Sequence, residues 1–212
     1  MPEYLAPEQD VVLSSRVRLA RNYANVPFIP MMNDALAEDV IQRAEDAVRA
    51  AGNGAAYEMI RVRDLSDAQR KRLVERHLIS YDLLKTPDWA AALISSGQTV
   101  SVMINEEDHL RVQGLLPGLQ LEKAADLAFT MDDILGKDGA YAFDGEWGYL
   151  TRCPTNTGTG MRASTMLHLP VLNMTGQISN VVQALAKLGL TVRGLYGEGS
   201  DAVGCLYQLS NQ

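Results

Sequence analysis

Two apolar runs, residues 99–104 and 109–115, are separated by only Asn105-Glu106-Glu107-Asp108. Parallel strands need a crossover of about a dozen residues or more, so this short polar link leaves an antiparallel hairpin as the connection. Other short runs rich in β-branched or aromatic residues, at 57–63, 147–153, 190–195 and 203–209, read as further strands. Between them lie helical periodicities. Residues 33–50 place Leu36, Val40, Ile41, Ala44 and Val48 on one face and stop at Gly52-Asn53-Gly54. Residues 66–76 open on Ser66 as a cap, and residues 122–135 and 177–188 are helical by spacing, the last stopped by Gly189. Strands and helices interleave irregularly, with no repeat or linker between them. The predicted class is α+β, a largely antiparallel β-sheet flanked by helices, in one continuous domain over residues 1–212.

Composition narrows the functional classes. Hydrophobic residues make up 47% and charged residues 21% of 212, which excludes a disordered or fibrous chain. Neither a run of 18 apolar residues nor a basic-then-apolar leader is visible, so the expected location is the cytoplasm, without a membrane. Two cysteines and three scattered histidines exclude a disulfide framework and structural zinc. The net charge of −7 argues against nucleic acid held by a general basic field. The cations are 14 Arg and 5 Lys, a skew toward the planar fork that suits phosphate and carboxylate.

Four segments could carry chemistry. In Ser14-Ser15-Arg16-Val17-Arg18, the alternation puts Arg16 and Arg18 on one face of a strand, either as surface arginines or as a phosphate site. The acidic link before His109 and Arg111 reads first as a solvated turn; the alternative is a carboxylate base with Arg111 facing an anion. Residues 153–164, Cys153-Pro154-Thr155-Asn156-Thr157-Gly158-Thr159-Gly160-Met161-Arg162-Ala163-Ser164, are glycine-rich and polar, which suits an anion-binding loop or a plain surface loop. It has neither P-loop nor dinucleotide spacing. Cys153 is either a small buried hydrophobe or a thiolate beside positive charge. Finally, Arg193-Gly194-Leu195-Tyr196-Gly197-Glu198 runs from a strand into a glycine-rich loop, where Glu198 is either displayed or incidental.

Together these parts suit phosphoryl transfer, in which clustered arginines neutralise a nucleoside triphosphate and Mg²⁺ bridges its phosphates. Two glutamates and a thiolate fit a guanidinium acceptor, whose fork pairs with carboxylates.

Through these four ordered motifs the chain, from about residue 9 to 212, resembles the guanidino phosphotransferase family of arginine and creatine kinases. It is most similar to the bacterial branch that phosphorylates arginine side chains in proteins. The resemblance implies an ATP site, with Mg²⁺, lined by Ser14, Ser15, Arg16, Val17, Arg18, His77, Arg111, Arg162, Ala163, Ser164, Thr165, Met166 and residues Arg193, Gly194, Leu195, Tyr196, Gly197 and Glu198. It further implies that Glu107 and Glu198 orient and deprotonate the acceptor beside a Cys153 thiolate, with no dedicated metal ligand. His77 rests on a short local match and has a core histidine as its alternative; His109 and His168 are structural. Implied partners are proteins with exposed arginines, such as a heat-shock repressor and Clp-type protease substrates in the stress response, and a zinc-binding activator, with homodimers in full-length members. Lacking a small helical domain before residue 9 favours protein-bound arginine, and relative to the family the catalytic domain is expected to be incomplete at its C-terminus. The alternatives are a phosphagen kinase for free arginine or another small guanidino compound, and an inactive nucleotide-binding fragment.

Overall fold

A computed structural model of the chain describes residues 6–137, 141–194 and 203–211. Among the described residues the order is β1 (Val12–Arg21), α1 (Asp34–Ala50), β2 (Tyr57–Arg61), α2 (Asp67–Glu75), β3 (Ala91–Ser95), β4 (Val100–Ile104), β5 (Leu110–Pro117), α3 (Leu121–Leu135), β6 (Phe143–Asp144), β7 (Gly148–Tyr149), β8 (Met161–His168), α4 (Pro170–Met174), α5 (Ile178–Lys187), β9 (Leu190–Gly194) and β10 (Leu206–Asn211). Among the same residues no helix is long and apolar enough to cross a membrane. The chain divides into two compact units, one of residues 18–114 and 126–161, the other of the described residues in 1–17, 115–125 and 162–212.

In the first unit the strand order is β2-β3-β4-β5-β1, with β1 contributing residues 18–21. The expected hairpin is present: β4 and β5 pair antiparallel, with Val102 opposite Val112. β3 escapes sequence reading because Ala91 and Ala92 carry little strand preference. It forms because both of its faces are covered, and its residues 91–94 are buried. Helix α1 opens where Asn33 accepts the Leu36 N–H at 2.9 Å and buries Ala37, Val40, Ile41, Ala44 and Val48; Ala37 takes the place that spacing assigns to Leu36. Helix α2 opens on a complete Ser66–Gln69 capping box. Its Val74 joins a buried cluster with Val62, Leu78, Leu83, Ala92 and Met103. The strand expected over 147–153 shrinks to Gly148–Tyr149, whose partner strand is only the two residues Phe143–Asp144, and Cys153 already caps a short turn at Pro154–Asn156.

In the second unit the order is β1-β8-β10-β9, with β1 contributing residues 12–17. Leu209 stands opposite Thr165 on one side and Val192 on the other, both pairs antiparallel. The loop expected through residue 164 ends earlier, since β8 already begins at Met161. The short α4 is a helix that periodicity does not announce. Helix α5 stops as expected, with Gly189 at φ +75°.

Candidate active site

The acidic link between β4 and β5 overturns its first reading as a solvated turn. Asn105 and Asp108 have 0% exposure and Glu106 6%. Asn105 takes a left-handed φ of +59° and donates its N–H to His109 O at 2.9 Å. Its side-chain amide donates to Ala37 O and Trp89 O, both at 3.0 Å. A non-glycine residue held at positive φ in this way is over-determined by its surroundings.

Arg111 on β5 gathers the acids. Its Nη1 lies 2.6 Å from Glu106 Oε2, its Nη2 is bonded to Glu107 Oε2, and its Nε is 3.8 Å from Asp108 Oδ2. The Ser80 hydroxyl donates to Glu106 Oε1 and accepts the Leu83 N–H at 3.1 Å. The side chains of Glu106 and Asp108 have no exposure, whereas that of Glu107 retains 32%. Three carboxylates around one guanidinium leave an excess negative charge in a poorly hydrated place. A second cation would offset that excess, and of the three acids Glu107 is the one exposed to solvent.

The turn is fastened to the loop that carries Cys153. Asp108 Oδ1 accepts from Asn22 Nδ2 at 2.8 Å and from the Arg152 N–H at 2.9 Å, while its buried Oδ2 makes no hydrogen bond. Asn22 also donates to Leu150 O at 3.1 Å and accepts the His109 N–H at 2.9 Å. Cys153 is half-buried, and its Sγ lies 3.0 Å from Thr155 Oγ1. Backbone and side-chain bonds to Asp108 therefore fix the position of Cys153 relative to the acidic turn. His109 is structural, as expected. Its Nδ1 accepts the Tyr23 N–H at 3.0 Å, so Nε2 carries the proton and donates to Pro27 O at 2.9 Å. Burial holds its pKa below the ordinary imidazole value, against the opposing pull of the Pro27 bond and of Asp108. His168 is exposed at the end of β8.

The alternation read in β1 holds, with Ser15, Val17 and Leu19 buried and Ser14, Arg16 and Arg18 half-buried on the other face. The Ser15 hydroxyl is satisfied internally, donating to Gly118 O at 2.7 Å and accepting the Gln120 N–H at 2.9 Å. In the second unit, burial and then the positive charge of Arg162 lower the proton affinity of Arg16. Two such guanidinium groups favour an anion between them. Beside Arg162 on β8, the Ala163 N–H donates to Asn211 Oδ1 at 2.9 Å, Ser164 and Thr165 are buried, and Met166 stands opposite Gln208. Arg193 on β9 faces Gln208 from the other side, with Gly194 ending the strand. Leu195, Tyr196, Gly197 and Glu198 lie outside the described residues.

His77, in the first unit, is exposed rather than a core histidine. It sits just past α2 at φ +58°, with Leu78 N–H bonded to Leu73 O at 3.0 Å, the helix-ending turn that usually takes glycine. Its own carbonyl accepts from Gln113 Nε2 at 2.7 Å. Sequence reasoning assigned no role to Glu106, Asp108, Asn22, Ser80 or Arg152. The run of three acids was a signal for the first two; only the fold brings the other three to the turn.

The family model described as ATP:guanido phosphotransferase, C-terminal catalytic domain, matches residues 39–212. Among curated relatives, a protein-arginine kinase of Desulforamulus reducens is 52% identical over 99% of this chain and 60% of its own length. One of Halothermothrix orenii is 50% identical over 97% of this chain and 59% of its own. The chain thus spans about 60% of the length of the curated relatives it matches. Among solved structures, the duplicated taurocyamine kinase of Schistosoma mansoni with bound transition-state-analogue components superposes with a TM-score of 0.86. It shares 28% identity over 98% of this chain and 30% of that one. A lombricine kinase superposes with a TM-score of 0.77 at 24% identity, covering 98% of this chain and 62% of that one, and shares the fold.

Proposed function

We propose that this chain, which belongs to the ATP:guanido phosphotransferase family, transfers the γ-phosphoryl group of ATP to a guanidinium nitrogen of arginine side chains in proteins. The observation that carries the reading is the buried acidic turn, whose excess negative charge is open to solvent at Glu107. A guanidinium is the cation whose planar fork such carboxylates match. Relatives named protein-arginine kinases, about half identical over nearly the whole chain, support protein arginine as the acceptor.

In this reading Glu107 pairs with the acceptor guanidinium, orients its nitrogen and takes the proton released as that nitrogen attacks phosphorus. Glu198 is the proposed second carboxylate. Cys153 stands beside the acceptor, set by Asp108 through the Arg152 N–H. Arg16, Arg18, Arg111, Arg162 and Arg193 neutralise phosphate oxygens as charge redistributes in the transition state. Ser14, His77, residues 163–166 and residues 194–197 complete the nucleotide contacts, with Ser15 and Val17 supporting β1 from its buried side. Mg²⁺ would be held through the phosphate oxygens and water and would supply charge neutralisation there; among the described residues no group of three or more His, Cys, Asp or Glu is placed to cage it. Residues 1–212 act as one catalytic domain, in the cytoplasm, on exposed protein arginines such as those of a heat-shock repressor.

The test is a substrate comparison. With Mg-ATP, phosphate is expected on arginine nitrogens of an arginine-rich protein, acid-labile and located by mass spectrometry, and not on free arginine. Transfer to free arginine alone would replace this reading with that of a small-molecule phosphagen kinase.

A further inference from the structure

Arg21 closes the arginine-rich strand β1, yet none of the roles above uses it. It is 2% exposed, and its partners Ala20, Asp132, Tyr149 and Thr159 belong to the first unit. Its Nε and Nη2 donate to Asp132 Oδ2 of α3 at 3.1 and 2.8 Å. Its Nη1 donates to Ala20 O at 2.9 Å and to Thr159 O at 3.0 Å, and its guanidinium lies over the Tyr149 ring, 3.6 Å from the centroid.

Tyr149 and Thr159 stand at the two ends of the loop that carries Cys153. That loop is closed at its neck by a reciprocal backbone pair, Tyr149 N–H to Gly158 O at 2.8 Å and Gly158 N–H to Tyr149 O at 3.2 Å. One buried guanidinium therefore grips the entrance by its face and the exit by its edge, and ties both to α3. Gly160, at φ +62°, completes the fit: a Cβ there would lie 2.8 Å from Arg21 Nη1 and 2.7 Å from Ala20 O.

We propose that Arg21 is a positioning residue, a clamp that holds the neck of the Cys153 loop closed and so sets Cys153 against the acidic turn. The proposal rests on the reading of Cys153 and Glu107 as parts of the transfer site. An arginine suits the task because it alone offers a flat face for the tyrosine together with edge donors for the carbonyl and the carboxylate.

The test compares Arg21→Lys with the double variant Arg21→Met/Asp132→Leu. The double variant removes both buried charges together, so the fold is not left with an unpaired carboxylate. Amide hydrogen exchange is read on the whole chain. The expected result in both variants is exchange at least ten-fold faster over residues 148–160, with β4, β5 and α1 unchanged. Turnover falls at least ten-fold while the KM for ATP stays within two-fold. Tyr149→Phe, which keeps the ring, behaves as wild type, and Tyr149→Leu behaves as the Arg21 variants. Unchanged exchange over 148–160, or faster exchange spread evenly through the unit, would overturn the clamp. The exchange readout needs no turnover, so a wild-type chain that transfers no phosphate would count against the proposed function and still test the clamp.

Discussion

His109 shows how a single side chain links the site to the stability of the fold. Its Nδ1 accepts a backbone N–H and its Nε2 donates to a carbonyl, so a second proton displaces the Tyr23 bond inside a buried pocket. Its folded pKa lies below the ordinary value of 6.5, so the unfolded chain binds the proton first. The stabilisation is present above 6.5 and is lost as pH falls below it toward the folded pKa. Denaturant unfolding should show stability falling by up to about 1.4 kcal/mol per pH unit in that window. His109→Gln should flatten the dependence; an unchanged slope in that variant would assign it to other groups. His77 poses the opposite case, an exposed ring on a backbone that suits glycine. His77→Gly should keep or raise stability, by up to about 1 kcal/mol, while nucleotide affinity falls several-fold. Wild-type affinity for ADP in that variant would leave the imidazole without a role at the nucleotide.

At the level of elements, the legible parts were those whose signals are local. Ser66 sits just before a helical run and caps it as expected, and Gln69 completes a capping box there. Ser66→Ala should therefore cost about 1 kcal/mol, measured by chemical unfolding, with transfer activity unaffected; no loss would mean that the box is redundant. The hairpin followed from a four-residue link, and the shared face of Arg16 and Arg18 from a period of two. What stayed hidden depends on tertiary context. An alanine-rich segment becomes β3 because its neighbours cover it. The turn at 105–108 looked solvated because acids usually are, and it is buried because Arg111, Ser80, Asn22 and the Arg152 N–H, from four separate places in the sequence, satisfy it. The groups from elsewhere in the chain that hold the acidic turn, Ser80, Asn22 and the Arg152 N–H, could not be named from the sequence.

On the scale of the whole molecule, each of the two units carries its own charged cluster. The second unit carries the mutually repelling Arg16 and Arg162, and the first carries the acidic turn with the Cys153 loop. Phosphate bound by Arg16 and Arg162 should stabilise the chain against heat, by about 2.7 kcal/mol at a nucleotide concentration 100 times Kd. Arg162→Ala should abolish most of that shift in Tm; an undiminished shift would show that phosphate is held elsewhere. Glu107, in the proposed reaction, handles the acceptor rather than the nucleotide. The most direct measurement is Glu107→Gln, assayed for phosphoarginine formation on an arginine-rich protein alongside ADP binding by calorimetry. The expected result is a loss of transfer on the order of 10²–10⁴-fold, with ADP affinity within two-fold of wild type. Wild-type transfer, or a loss of transfer matched by a loss of ADP binding, would contradict it.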